Sequence, residues 1–140
     1  MKSEFIIHLI ARVHDQANKF LTRELKKHNI DAIAPSHGDV IGALCINEQM
    51  SMKALAQLIN KDKSTVTALV NKLMQLGYVE KKNNPQDNRV TLVSLTEKGK
   101  TIKPQILNIS QKMREKAYCN LSQEEQQMLV SLLMKVHRSF

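Results

Sequence analysis

The segment Lys63–Lys72 concentrates side chains whose types and spacing suit the recognition of nucleic acid. Hydroxyl groups donate to phosphates or base edges, and the methyl groups of Thr and Ala can contact thymine. If the segment is helical, apolar Val66 must face the protein interior. The outward-facing residues are then Lys63, Ser64, Thr65, Thr67, Ala68, Asn71 and Lys72. Such a helix fits the major groove of B-DNA, which is about 12 Å wide, and its positive N-terminal end favours phosphate.

A second candidate group is Asp87 and Arg89, which are separated by one residue in a turn-rich stretch. The guanidinium of Arg89 suits the negative potential of a narrow minor groove, and the Asp87 carboxylate can hold it by a charge-assisted contact. The remaining candidates for DNA contact are Lys53, Lys61, Lys82 and Asn88. Purely structural explanations stay open, because the hydroxyls can be helix caps and an exposed ion pair contributes only about 0–1 kcal/mol.

Two short helices joined by a tight polar turn are predicted around the first group. Ser51 is placed to cap a helix over Met52–Ile59, and Asp62 or its neighbour caps the next helix, which stops at Gly77. The residues expected to face inward are Leu55, Leu58 and Ile59 on the first helix and Val66, Leu69, Val70, Leu73 and Met74 on the second. This order is typical of a helix-turn-helix.

The chain then changes to the pattern of β-strands. Tyr78–Lys82 and Arg89–Leu95 are predicted strands, and the turn formers of 83–88 join them in a hairpin. A helix-turn-helix followed directly by a basic hairpin is a winged-helix arrangement. We therefore expect a recognition helix at about 63–76 in the major groove and a wing at about 79–95, with Arg89 toward the minor groove.

Longer helices flank this lobe. The apolar spacing predicts an amphipathic helix over Phe5–Leu25, a helix from Pro35 through Cys45 and a helix capped by Thr96 that either starts near Pro104 or bends there. Ser122 to Glu125 form a capping box before a final apolar helix. The predicted fold is mainly α with a small β-hairpin wing. Its expected domains are an N-terminal dimerisation helix (1–34), a winged helix-turn-helix lobe (35–100) and C-terminal dimerisation helices (101–140).

The charge of the protein is concentrated in the middle of the chain. The 140 residues carry a net charge of +8, and residues 51–103 hold ten basic against four acidic side chains, whereas residues 1–50 hold six of each. A basic centre favours a polyanionic partner, although a solvated Lys-rich surface is the alternative. Two cysteines and the lack of a long apolar run exclude a disulfide scaffold and a membrane span, and they indicate a cytoplasmic protein.

Other chemistry has little support in the sequence. No nucleophile elbow, phosphate loop or carboxylate dyad is present, so we expect neither an enzyme nor a cofactor. The five histidines are scattered, and we expect no metal site. Cys45 fits a buried small hydrophobe, whereas Cys119, with Lys116 nearby, is a candidate redox switch.

The segments DKSTVTALVNKLMQLGYVEKK (62–82) and DNRVTLVSLTEKGK (87–100) closely resemble the recognition helix and wing of the MarR family of bacterial transcription regulators. The positions on the wing signature are Asp87, Arg89, Leu95, Thr96 and Gly99. The resemblance implies a homodimer whose first and last helices interlock, bound to a pseudo-palindromic operator in double-stranded DNA. It also implies a repressor relieved by a small anionic or phenolic effector, bound between the dimerisation helices and the lobe.

The chain departs from that family at three points. Ala68 stands where many members have an Arg that reads bases, and Asn71 stands where an acidic residue is common. The first helix lacks the reactive Cys of peroxide-sensing members. Direct base readout would then depend on Ser64, Thr65, Thr67 and Asn71, specificity would come more from DNA shape, and Arg89 is the strongest single candidate for a DNA contact. The alternatives are a winged-helix module that binds another protein and a redox- or metal-responsive member of the same family.

Overall fold

A computed structural model describes residues 2–30 and 32–140 of the chain. Met1 and Asp31, which fall within the predicted N-terminal segment 1–34, lie outside the described residues. The elements in chain order are α1 (Ile6–Lys27, after a 3-10 turn at Ser3–Phe5), α2 (Pro35–Ile46), β1 (Gln49–Ser51), α3 (Met52–Ile59), α4 (Lys63–Gln75), β2 (Val79–Asn84), β3 (Asp87–Leu95), α5 (Glu97–Tyr118) and α6 (Gln123–His137). The chain divides into two compact units, Met1–Ile109 and Ser110–Phe140.

The predicted helix starts are confirmed by side-chain caps. Ser51 Oγ accepts from the Ala54 backbone N–H at 3.0 Å, and Asp62 Oδ1 accepts from that of Thr65 at 2.7 Å. Each cap supplies a partner for an N–H group that the first helical turn leaves unpaired. Pro35 occupies the start of α2, where its missing N–H costs nothing. The helix-turn-helix therefore begins and ends where its capping residues predict.

The sheet contains one strand that the sequence analysis did not predict. Its order is β1-β3-β2, with β3 in the centre and both pairings antiparallel. Gln49 pairs with Ser94 and Ser51 with Leu92. A three-residue strand is too short to show an alternating pattern, so only the tertiary pairing defines it.

The two strands of the wing are longer and the turn between them is tighter than predicted, although the wing spans the predicted residues 79–95. The strands extend to Asn84 and begin again at Asp87, so the turn consists of Pro85 and Gln86 rather than the whole stretch 83–88. The Gln86 backbone N–H donates to Asn84 Oδ1 at 3.0 Å, which closes the turn. Asn83 pairs with Thr91. Asn83 and Asn84 are turn-forming residue types, yet they belong to the strand because pairing with β3 provides partners for their backbone N–H and C=O groups.

The core of unit 1 lies beneath the two helices of the helix-turn-helix. Its fully buried side chains are Val40, Ile41, Leu55, Val66, Val70, Leu73 and Val93. Two inward assignments were wrong, because Leu58 is 57% exposed and Met74 is 40% exposed. Both residues lie at the edge of an apolar stripe, where helix spacing alone does not show how far the neighbouring elements reach. Cys45 is half-buried rather than fully buried.

A network of hydrogen bonds fixes the end of α4 to the start of α5. Gly77 has φ +81°, the left-handed conformation that ends the helix. The Thr96 hydroxyl donates to the Gly77 carbonyl and accepts from the Gly99 N–H at 3.1 Å. Lys98 Nζ donates to the Leu76 carbonyl at 2.7 Å and lies 4.9 Å from the centre of the Tyr78 ring. The Leu-Thr…Gly part of the wing signature is therefore a structural junction.

The start of α5 resolves the alternatives left open for Pro104. The helix begins at Glu97, so Pro104 lies inside it and does not mark its start. In unit 2, Ser122 and Glu125 form the predicted capping box, with the Ser122 N–H donating to Glu125 Oε2 at 2.8 Å. No helix among the described residues is both long and apolar enough to cross a membrane.

Candidate nucleic-acid interface

The N-terminal turns of α4 present the predicted face to solvent. Val66 is fully buried, whereas the residues on either side of it are accessible. Lys63, Ser64, Thr65, Ala68, Asn71 and Lys72 are exposed, and Thr67 is partly exposed. The burial of one side of α4 against the core thus leaves the polar side free to meet a ligand.

The hydroxyl protons of this face already have partners in the protein. Ser64 Oγ donates to Asp62 Oδ1 at 3.1 Å, and Thr67 Oγ1 donates to the Lys63 carbonyl at 2.8 Å. Hydrogen bonds from Thr65 and Ser64 lower the pKa of Asp62 below its usual value. Capping and recognition are therefore compatible: the bonded hydroxyls keep lone pairs that can accept from the amino groups of cytosine or adenine.

The wing holds Arg89 in a defined position. Its Nε donates to Asp87 Oδ1 at 3.2 Å, and its backbone N–H donates to the same oxygen at 3.1 Å. The Arg89 side chain remains 92% exposed. Asp87 therefore orients the guanidinium group through Nε and leaves the rest of it accessible, in agreement with the contact predicted from the spacing of the two residues. Asn88, between them, is exposed.

A groove of about 810 Å³ joins α3, α4 and the wing. It brings together four predicted cations and one predicted hydroxyl residue: Lys53, Lys61, Lys63, Arg89 and Thr67. The lining also includes residues that the sequence analysis did not name as DNA contacts, among them Gln57, Asn60 and Lys81. The sequence pattern of β2 could have identified Lys81. Residues two apart in a strand share a face, so Lys81 lies on the same face as buried Val79.

Lys82 does not line this groove, because consecutive side chains of a strand point to opposite faces and Lys82 follows Lys81. It lines a different cavity of about 720 Å³, on the other face of the sheet, together with Glu80, Lys100 and Lys103. Its neighbour Lys81 faces α4, where its Nζ donates to Asn71 Oδ1 at 3.1 Å. The two adjacent lysines of the wing thus serve two different surfaces.

Lys72 lies on the part of α4 that faces α2. The side chain of His37 accepts a hydrogen bond from the Ala34 N–H through Nδ1 at 3.0 Å, which caps α2. Burial, and then the positive charge of Lys72, lower the pKa of His37. Lys72 therefore adds positive charge beside the start of α2 as well as on the exposed side of α4.

The described residues offer little support for metal or thiol chemistry. No group of three or more His, Cys, Asp or Glu residues in 2–30 and 32–140 is placed to hold a metal ion. Burial raises the pKa of the Cys45 thiol, which favours the neutral and less reactive form. Cys119 is exposed in unit 2, next to Arg114, Glu115 and Tyr118.

Comparison with known proteins agrees with this geometry. Residues 33–89 match the model of the MarR family. The regulator SarZ of Staphylococcus haemolyticus is 34% identical over 118 residues, covering 84% of this chain and 77% of SarZ. The repressor IacR of Pseudomonas putida is 26% identical, covering 94% of this chain and 77% of IacR.

Solved structures show the same architecture. A crystal structure of a mutant MarR from E. coli complexed with operator DNA matches with a TM-score of 0.82 and 26% identity, over 95% of each chain. The fold is also that of the regulator SlyA, with a TM-score of 0.85, 20% identity and coverage of 96% and 92%. The chain belongs to the MarR family of DNA-binding transcriptional regulators. The family resemblance and the mainly α, winged-helix fold are thereby confirmed, and these relatives are regulators rather than enzymes.

Proposed function

We propose that the protein is a homodimeric, sequence-specific transcriptional repressor that reads a pseudo-palindromic operator. The main support for the proposal is that four basic side chains line one groove beside the exposed N-terminus of α4. They are Lys53, Lys61, Lys63 and Arg89. Four cations on one concave surface complement a phosphate backbone. Residues of α4 enter the major groove, and Arg89 enters the adjacent minor groove.

The proposed dimer rests on apolar surface that one chain leaves exposed. In unit 1, the exposed apolar side chains of the N-terminal region are Phe5, Ile6, Ile7, Leu9 and Val13. In unit 2, those of α6 are Met128, Leu129, Val130, Leu132, Leu133, Met134 and Val136. Apolar surfaces of this extent are typical of protein interfaces. A second copy covers them, so we assign residues 1–34 and 101–140 to dimerisation and 35–100 to DNA binding.

A twofold dimer sets the spacing of its half-sites. Two recognition helices about 34–36 Å apart reach successive major grooves on one side of the duplex. The relative IacR is named a transcriptional repressor, which supports repression rather than activation as the role of this chain.

A small anionic effector is the second part of the proposal. The cavity beside Lys82, Lys100 and Lys103 is also lined by two carboxylates, Glu48 and Glu80, and has apolar walls at Leu44, Ile46 and Leu95. The three lysines outnumber the carboxylates, and a net positive charge around an apolar wall suits an anion with a hydrophobic body. A ligand that binds one arrangement of the lobes more tightly shifts the separation of the recognition helices and lowers affinity for a site of fixed spacing.

The decisive experiment measures binding to duplex DNA from upstream of the protein's own gene, over a series of salt concentrations. We expect log K to fall steeply with log salt, because bound phosphates release counterions. Lys63→Ala should weaken binding to all sequences, because a phosphate contact carries no sequence information. Absence of binding to every fragment at low salt would instead support a winged-helix module that binds another protein.

A further inference from the structure

The wing and the recognition helix are joined by a hydrogen bond between Lys81 and Asn71. Lys81 Nζ lies 3.1 Å from Asn71 Oδ1. Lys81 is half-buried on the face of β2 that also carries buried Val79, whereas Asn71 is exposed on α4. The pair connects an element proposed for the minor groove to one proposed for the major groove.

The chemistry of lysine determines how the Asn71 amide is turned. An ammonium group has three donors and no acceptor, so only the carbonyl oxygen of an amide can face it. The amide NH2 of Asn71 must therefore point away from Lys81. An unrestrained Asn can pair with adenine through both its oxygen and its nitrogen. With its oxygen held toward the wing, Asn71 offers chiefly a donor.

We propose that Lys81 is a positioning residue that makes Asn71 a donor-only reader of the operator. Asn71 then selects a base edge that presents an acceptor, namely guanine O6 or N7, adenine N7 or thymine O4, and rejects cytosine, whose edge presents a donor. The orientation is already set in the free protein, so the cost of ordering the amide is met before DNA binds. This inference rests on the proposed DNA-binding function.

The test is selection of bound duplexes from a random pool, performed on the full-length wild type and on variants. For the wild type we expect a preference against cytosine at one symmetric pair of operator positions. Asn71→Ala should remove that preference and leave the other positions unchanged. Lys81→Met should reduce the preference at the same positions by about fivefold, the effect of one net hydrogen bond, and allow cytosine to enter, because the released Asn71 oxygen can accept from its amino group.

Matched variants separate positioning from loss of charge. Lys53→Met removes one positive charge from the same groove, so it should weaken binding to every sequence and leave the preference at those positions intact. Lys81→Arg keeps a donor and should restore the preference. In the double variant Asn71→Ala/Lys81→Met, the preference should be no weaker than in Asn71→Ala alone, because both changes remove the same contact.

Several results would overturn the inference. If Lys81→Met retains the wild-type preference while Asn71→Ala loses it, Asn71 reads the base unaided and the proposed DNA-binding function stands. If the wild type accepts cytosine at these positions as readily as the other bases, the Asn71 oxygen is available to the base and the donor-only assignment fails. If the wild type selects no sequence although it is folded by circular dichroism, the DNA-binding function and the inference both fail.

Discussion

Gly99 passes so close to Tyr78 that a Cβ atom at position 99 would lie 2.1 Å from the Tyr78 carbonyl oxygen. The neighbour is backbone, which cannot move aside as a flexible side chain can. The same carbonyl accepts a hydrogen bond from the Thr96 N–H at 3.0 Å. The segment that follows the recognition helix and the first turn of α5 are therefore in close backbone contact, in addition to the side-chain hydrogen bonds that join them.

Gly99→Ala should destabilise the protein strongly. We expect a loss of about 1–3 kcal/mol or more in the free energy of unfolding, because the added methyl group forces the backbone of α5 away from Tyr78. Urea denaturation followed by circular dichroism measures the loss. Gly42→Ala is the control: a Cβ there meets nothing within 4 Å, and replacing a helical Gly should stabilise by about 0.5–1 kcal/mol. Equal stability of the two variants would contradict the contact.

The stability of the protein should depend on pH through His37. Burial and Lys72 lower the pKa of His37 below its ordinary value of 6.5. Between the folded and the ordinary pKa, the unfolded chain binds more protons than the folded one, so stability falls as pH drops below about 6.5. Above that pH the contribution is constant. Denaturation midpoints measured across this window test the prediction.

His37→Gln is the informative variant for this dependence. Glutamine can still accept from the Ala34 N–H but does not titrate, so the decline across this window should become shallower. A wild-type stability that increases on acidification through the window would show that the sign is wrong.

Arg89 should contribute both charge and shape recognition. Arg89→Ala should reduce the slope of log K against log salt by about one unit, because one fewer counterion is released. Arg89→Lys keeps the charge and should preserve the slope, yet weaken the preference for sites with a narrow minor groove. Fluorescence anisotropy at several salt concentrations measures both effects. An unchanged slope in Arg89→Ala would place this residue away from the DNA.

Leu132→Glu should break the proposed dimer. The side chain is 49% exposed in a single chain, so the substitution should leave the subunit folded while placing a charge in the interface. Sedimentation should show half the wild-type mass, and affinity for a two-half-site operator should fall. Gln127→Glu places the same charge on the same helix at a polar position. A Leu132→Glu protein that remains dimeric would exclude this surface from the interface.

The candidate site was largely predictable because it depends on local rules. Capping by Ser51 and Asp62, the left-handed stop at Gly77 and the spacing of Asp87 and Arg89 are short-range features, and each has the geometry expected from the sequence. The outward face of α4 follows from helical periodicity alone.

Other parts of the site could not be predicted from spacing. The groove assembles residues from three elements, so Gln57, Asn60 and Lys81 became visible as partners of α4 only when the elements were packed. The short strand β1 is defined by its pairing with β3 and by nothing in its own sequence. Lys82 was grouped with the other lysines by its charge, although strand alternation places it on the opposite face.

By itself the sequence determined the order of the helices and of the two wing strands, the basic centre and the family, because each is encoded in neighbouring residues and their period. The tertiary structure decided which charges share a surface, which hydroxyls are already bonded and how the Asn71 amide is turned. These properties depend on distances between residues far apart in the chain, and only packing of the core sets those distances.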